Sequence, residues 1–298
     1  MARALRARGH RVSVLGVYDD VNRLRTGLAR RRPDLVFNLA EWFGDDVRGD
    51  MLVAAALDLL GYRYTGSGPG ALYLSQDKAL TKKLLAFDEL PFPRFAVFRP
   101  DADFEAGGRL RMPLFVKPLR ADASIGIGKQ SLVTDAKALM RRVLAIQEEV
   151  GDAALAEEYI EGRELYVGVL GNAGNGQPLA LPPVEVDFTG FPEGAPKVVG
   201  ARAKWEEDTP EYKGTRSVIA ELPDELRARV QKVAVEAYRA LQVCDYGRVD
   251  LRLTETGELY VLEVNASCYL ERGGEFAMAA AAAGIPYEEL IERIVELA

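Results

Sequence analysis

Between Arg248 and Asn265 the chain has two strand-like runs, Arg248 to Leu253, where polar and apolar residues alternate, and Glu258 to Asn265, joined by Thr254–Gly257. Two such runs on either side of a turn closed by glycine specify an antiparallel hairpin. Its apolar face must be buried, so the chain has to build a sheet with a packed layer behind it. Its other face carries Arg248, Asp250, Glu263 and Asn265. If Leu253 faces Glu258, Asp250 faces Val261, and Glu263 lies diagonally from Asp250, roughly 7–8 Å away and within side-chain reach. Two acids and an amide oxygen converging from a rigid hairpin form a hard-oxygen cation site. Magnesium held by one or two carboxylates plus substrate phosphates is the usual occupant. The plainer alternative is an exposed face with an Arg–Glu pair, but Leu262 and Val264 beside Glu263 indicate a packed strand.

The rest of the composition removes whole classes of chemistry. His10 is the single histidine and sits in the Arg-rich segment Arg6–Arg11, so neither a Ser-His-Asp triad nor a histidine-ligated zinc site is expected. A net charge of −7 argues against a nucleic-acid or membrane-surface binder, and no apolar run spans a bilayer. Cys244 and Cys268 provide no disulfide framework, which points to a reducing, cytoplasmic setting. Whatever the chain catalyses must rest on carboxylates, lysine, arginine and an ion.

Along the chain, residues 1–87 read as alternating helix and strand, with strands at Arg11–Tyr18 and Leu35–Leu39 and a helix at Met51–Leu60. That order suggests a parallel α/β sheet. A helix over Lys78–Phe87 stops before Pro91 and Pro93. Strands follow at Phe95–Phe98, Leu114–Lys117 and Ala154–Tyr159, with a helix near Ala136–Val150. Further strands are expected at Leu165–Leu170 and Val184–Phe188 and in the hairpin, with one helix over Pro223–Leu241. The expected organisation is a domain over 1–87, a lobe over 88–180 and a second, mostly antiparallel α+β lobe over 181–298.

Two glycine-rich segments are lookalikes. Gly66–Ala71 lacks the last glycine of a dinucleotide fingerprint, and before Gly126–Gln130 position 123 is Ala, with Gln130 where a phosphate loop needs Ser or Thr. Other segments carry more. Lys117 ends an apolar strand and either snorkels or meets an anion, and the small-residue loop Arg120–Gly128 after it suits phosphate oxygens. Lys78 opens a helix, where a cation is unfavourable unless an anion or Asp77 offsets it. Glu157–Glu164 joins two strands and is either an acidic loop or an extended linker for an adenine edge, with Glu164 placed for ribose hydroxyls.

In this order, the pieces resemble the ATP-grasp superfamily and most closely its D-alanine–D-alanine ligase group. Tyr62–Gly68 with Ser75-Gln-Asp77-Lys78 is similar to the link into the family's central domain. Phe115-Val-Lys117-Pro118 with Ser124-Ile-Gly126 is similar to its second lysine and phosphate loop, and Glu157–Glu164 to its adenine hinge and ribose acid. Ala203-Lys204-Trp205 is similar to its lid lysine and aromatic, and Gly247–Asp250 with Leu262–Asn265 to its metal hairpin.

The resemblance implies an ATP-grasp fold, an N-terminal parallel α/β domain followed by two α+β lobes enclosing ATP. It implies an ATP-dependent carboxylate–amine ligase working through an acylphosphate, on small amino-acid or peptide-like substrates, as a homodimer. Asp250, Glu263 and Asn265 would hold magnesium, two ions, with manganese able to substitute. Lys78, Lys117, Ser124 and Lys204 would meet the phosphates; Glu157, Glu158, Tyr159, Ile160, Glu164 and Leu262 the nucleoside. Arg248 and Lys204 would be catalytic, and Arg248, Ser267, Arg272 and Glu275 would meet substrate. A nucleotide-binding regulatory protein without turnover is the alternative, disfavoured by the intact Arg248, Lys204 and hairpin.

The departures set further expectations. The family's Glu and Ser after the loop arginine are Ala121 and Ala123 here, the lid aromatic is Trp205 rather than Tyr, and the acceptor stretch carries Glu271, Arg272 and Glu275. D-alanine specificity is therefore not expected. The chain opens on a helix, Ala2–Arg8, whereas in the family a strand and a loop bearing an acid for the donor's amino group come first. That strand is expected to be missing from the sequence as given.

Overall fold

The computed structural model describes residues 1–44, 49–100, 105–106, 109–121, 124–191, 198, 200, 204, 206 and 208–298. Two antiparallel sheets dominate it. The first runs β2–β1–β5–β3–β4, from β1 (Phe95–Phe98), β2 (Glu105–Ala106), β3 (Leu114–Pro118), β4 (Leu132–Val133) and β5 (Ala154–Glu158). The second runs β11–β10–β6–β8–β9, from β6 (Arg163–Leu170), β8 (Val184–Asp187), β9 (Arg216–Ile219), β10 (Tyr246–Leu253) and β11 (Leu259–Asn265), with β7 (Leu179–Ala180) on β6. The second sheet thus begins at Arg163, earlier than the lobe boundary expected near 180. The crossing is the short turn through Gly162, whose φ of +151° only glycine adopts readily and where a Cβ would sit 2.1 Å from the Leu253 carbonyl oxygen.

Alternation along each strand decides which residues reach the cleft between the sheets. On β3 and β5, Leu114, Val116, Ala154 and Ala156 pack on helix α6 (Ala136–Glu149). The opposite register leaves Phe115, Lys117 and Glu157 on the other face. Asp135 caps α6 through the Ala138 N–H at 2.8 Å. In the second sheet, Leu165, Val167, Val249, Leu251 and Val261 pack on α8 (Asp224–Ala240). The other face of this sheet packs partly on α9 (Glu275–Ala282), through Tyr166 and Tyr246 against Phe276.

Helices α1 (Ala2–Ala7), α2 (Val21–Arg31), α3 (Gly49–Leu59), α4 (Pro69–Gln76) and α5 (Lys78–Phe87) make the N-terminal part. Here two expectations are corrected. Arg11–Tyr18 forms no strand, and Leu35–Leu39 contributes only one parallel bridge, Val36 to Tyr64. Alternation alone does not make a strand, because the backbone groups also need a partner ladder. Val14, which a half-buried strand would hide, is 73% exposed. The glycine-rich link is structural: the Gly66 N–H donates to Asp245 at 2.7 Å and the Ser67 hydroxyl accepts from the Cys244 N–H at 3.1 Å, tying the link to the base of β10. Among the described residues no helix is long and apolar enough to cross a membrane.

Helix α7 (Pro210–Lys213) lies on the chain between β8 and β9, and α10 (Tyr287–Leu297) closes the fold against α1 through Ile291, Ala4 and Leu5.

Candidate active site

The hairpin β10–β11 differs from its expected register. Leu251 pairs with Val261, but Asp250 pairs directly with Glu263 and Arg248 with Asn265, the shift falling between Asp250 and Leu251. Leu262 is the extra residue of a β-bulge, at the place where two apolar residues, Val261 and Leu262, stand side by side. Its effect is on the cleft. The bulge breaks the alternation so that Leu262, Glu263 and Asn265 all line one cleft, with Asp250 opposite Glu263 rather than diagonal to it.

That cleft, of about 740 Å³, lies between the sheets and takes side chains from both. At its polar centre Arg248 grips Asp250 with two hydrogen bonds, Nε to Oδ1 at 2.7 Å and Nη2 to Oδ2 at 2.8 Å, while its guanidinium lies 4.5 Å over the Tyr166 ring. The Asn265 amide donates to Asp250 Oδ2 at 3.2 Å. Lys78 Nζ donates to the Ala121 carbonyl at 3.1 Å and lies 3.4 Å from Glu263 Oε1. Burial pushes the Asp250 carboxyl up to about 6 against the pull of Arg248. For Glu263 burial also acts upward, but Lys78, Lys117, Arg248 and Lys204 outweigh it and hold the group down at about 2. The acids of the hairpin are thus neutralised by protein cations.

The donor set fits magnesium: two carboxylates and an amide oxygen, hard ligands that leave the remaining positions to phosphate and water. Among the described residues no group of three or more His, Cys, Asp or Glu forms a metal site, so any ion here must draw part of its shell from a ligand.

Toward the other end of the cleft, Glu157 is shared between two lysines, Lys117 Nζ at 3.1 Å and Lys82 Nζ at 2.8 Å. Glu158 accepts from the Arg111 backbone N–H at 2.9 Å and pairs with its guanidinium at 3.2 Å. Glu164 accepts from Tyr166 and from Arg252, both at 2.8 Å. Tyr159, Ile160, Ser124 and Lys204 also line the cleft. Ala123, Ala203 and Trp205 lie outside the described residues.

Where the resemblance puts substrate, Ser267, Glu271 and Glu275 line the cleft, Glu275 accepting from Ser217 at 3.0 Å. Arg272 does not. It pairs with Glu288 and stacks over Tyr287 at 4.3 Å, with an exposed side chain. The loop path turns it outward, which its place in the sequence could not reveal. Arg272→Ala is therefore expected to change the acceptor KM by less than about twofold and stability by less than about 1 kcal/mol, the range of an exposed ion pair. Steady-state kinetics and thermal melts check this, and a large KM effect would return Arg272 to the site.

Several residues of the site were not singled out by sequence. Glu41, Trp42, Tyr212, Arg216 and Tyr269 line the cleft. Lys82 lies behind it, fully buried. Only Lys82 had a readable signal, since it stands four residues after Lys78 on the same helix face.

Residues 84–296 match the family model described as "D-ala D-ala ligase C-terminus". The D-alanine–D-alanine ligase of Bordetella petrii is 36% identical over 247 residues, covering 83% of this chain and 71% of that protein. An uncharacterized protein of Sinorhizobium fredii, y4sG, is 34% identical over 268 residues, covering 90% of this chain and 75% of its own. In fold, the chain is similar to the D-alanine–D-alanine ligase of Bacillus anthracis crystallised with ATP, at a TM-score of 0.71 and 24% identity, over 92% of this chain and 82% of that one. With its matched family model spanning both sheets and the cleft between them, the chain belongs to the D-alanine–D-alanine ligase family of ATP-dependent carbon–nitrogen ligases with the ATP-grasp fold.

Proposed function

We propose that this chain joins a substrate carboxylate to an amine at the expense of ATP, through an acylphosphate, and that its substrates are not two D-alanines. The observation that carries the reading is the hairpin's cluster of Arg248, Asp250, Glu263 and Asn265 in a cleft also lined by Lys78, Lys117 and Lys204. Three lysines in one cleft can offset part of the charge of a triphosphate, with the metal offsetting more, and neutralising and positioning it is most of what phosphoryl transfer requires of a protein. Ser124 and its loop would cradle phosphate oxygens, and Glu157, Glu158, Tyr159, Ile160, Glu164 and Leu262 would bind the nucleoside. Asp250, Glu263 and Asn265 would hold magnesium, two ions, or manganese in its place. The metal would supply charge neutralisation at the phosphates.

In the chemistry proposed, a carboxylate oxygen attacks the γ-phosphorus and ADP leaves. The amine then attacks the acyl carbon, phosphate departs with the former carboxylate oxygen, and the amine gives up a proton. Arg248 would stabilise the oxygen of the tetrahedral carbon. The segment Trp205–Gly214, read as a lid, would exclude water from the acylphosphate.

The substrate end favours partners other than D-alanine. Ala121 stands where the resembled family has an acid, and Glu271 and Glu275 line the cleft while Arg272 points away. A substrate therefore meets negative charge there, which favours a larger partner with a cationic group and disfavours plain alanine. An ADP-release screen over amino-acid and dipeptide pairs with magnesium tests this. Release is expected with a charged or larger partner and not with D-alanine alone. Robust dipeptide formation from D-alanine alone would overturn the specificity, and no release with any pair would overturn turnover. We also propose a homodimer, which light scattering on the same sample tests.

A further inference from the structure

Helix α5 presents two lysines on one face, a single turn apart. Lys78 reaches the hairpin acids, and Lys82, which the ATP reading gives no role, reaches two residues of the proposed nucleoside end. Its side chain is 0% exposed. Its Nζ lies 2.8 Å from Glu157 Oε1 on β5 and donates to the Leu262 carbonyl at 3.3 Å on β11. One ammonium thus ties the end of the first sheet to the bulge of the second. Those are the two walls between which the base of a bound nucleotide would lie.

A fully buried lysine is costly unless it is paired and hydrogen-bonded. The pair here is unequal: Glu157 has a second partner, Lys117 at 3.1 Å, which lines the cleft and is needed for phosphate in the ATP reading. If Lys117 turns to a triphosphate, only Lys82 remains to compensate the Glu157 charge. Lys82 itself is sealed in and has nowhere else to go.

We propose that Lys82 is a positioning residue for nucleotide selection: by holding Glu157 charged and fixed, and the Leu262 carbonyl beside it, it makes the site accept adenine and reject guanine. This rests on the ATP reading. A fixed carboxylate accepts a hydrogen bond from the exocyclic amino group of adenine and repels the carbonyl oxygen that guanine carries in its place. The direction of titration agrees. Burial acts to raise the Glu157 carboxyl, but Lys117 and Lys82 outweigh it and keep the group below the usual carboxylate range.

The test is calorimetric binding of ATP, GTP and tripolyphosphate, each with magnesium, to the full chain and to Lys82→Met, Glu157→Gln and the double variant. The unsubstituted chain is expected to prefer ATP over GTP. Lys82→Met is expected to weaken ATP binding by about tenfold or more, the size of one hydrogen bond to a charged group, to bring ATP and GTP toward equal affinity, and to weaken tripolyphosphate less than ATP, through the tighter hold of Glu157 on Lys117. The double variant, which removes both buried charges together, is expected to lose no more ATP affinity than the worse single variant, because the two residues act as one unit. It also keeps the test decisive if Lys82→Met alone does not fold. An unchanged ATP-to-GTP ratio in either variant lacking Lys82 overturns the proposal, as do equal losses for ATP and tripolyphosphate or independent, additive losses. Failure of the unsubstituted chain to bind ATP at all removes the ATP reading itself, a distinct outcome.

Discussion

Arg248→Met is expected to lower kcat by roughly 10²–10³-fold, the range found when a preorganised donor to a developing oxyanion is removed. The effect should fall on kcat and on kcat/KM together, because the interaction is made mainly in the transition state. The proposed function gives Arg248 this task. Its two hydrogen bonds to Asp250 and its stacking on Tyr166 fix the guanidinium plane before substrate arrives. Arg248→Lys should recover little, because a point charge on a flexible stem lacks the planar fork that holds this geometry. Kinetics with the substrate pair found by the ADP-release screen, at saturating ATP and magnesium, provide the measurement. A variant whose kcat stays within a few-fold of the original would remove Arg248 from the chemistry and leave it as the counter-charge of Asp250.

The catalytic half of this fold was largely legible in sequence because the relevant signals are short-range. Period two and a glycine-closed turn located β10 and β11, prolines bounded α5, and the polar residues of the hairpin fell on its cleft face. What was illegible depends on geometry between segments. The strands pair one residue further along than the turn suggested, Leu253 with Leu259, and the bulge at Leu262 adds a second, so Asp250 and Glu263 were expected on a diagonal and stand opposite each other. The alternation of Arg11–Tyr18 looks like a strand, but a strand exists only where a ladder partner lies alongside it. Arg272 carried the right chemistry at the right place in the chain and points the wrong way, because loop direction is set by what the loop packs on, here Tyr287 and Glu288. Lys82 is the reverse case: its helical spacing from Lys78 was visible, but its significance depended on the burial that tertiary packing imposes.

Glu263→Gln keeps the shape of the hairpin and removes one negative charge, and it is expected to weaken magnesium-dependent ATP binding by roughly 100-fold or more. Residues that merely orient a metal's ligands already carry about 10–100-fold in affinity, so a ligand carboxylate should reach at least the upper end. The structure supplies the reason the charge matters. Lys78 lies 3.4 Å from Glu263, and together with Lys117, Arg248 and Lys204 it holds the carboxyl ionised at about 2, so the side chain is negative at any pH where the protein would work. The neutral amide of the variant would leave Lys78 facing a weaker partner and an incoming cation facing one charge, that of Asp250, instead of two. Isothermal titration of ATP with and without magnesium separates the two contributions. Without the ion, the variant should bind ATP at least as well as the original, because one repulsive carboxylate is gone from a site that receives a polyanion. With the ion, the original should gain affinity and the variant should not. Thermal shifts check the same point independently, since a ligand that binds the folded chain raises its melting temperature in proportion to the logarithm of its concentration over Kd. The magnesium-dependent part of that rise should be lost in the variant while the nucleotide-free melting temperature changes little. Unchanged magnesium dependence would sink the assignment of this hairpin as the metal site.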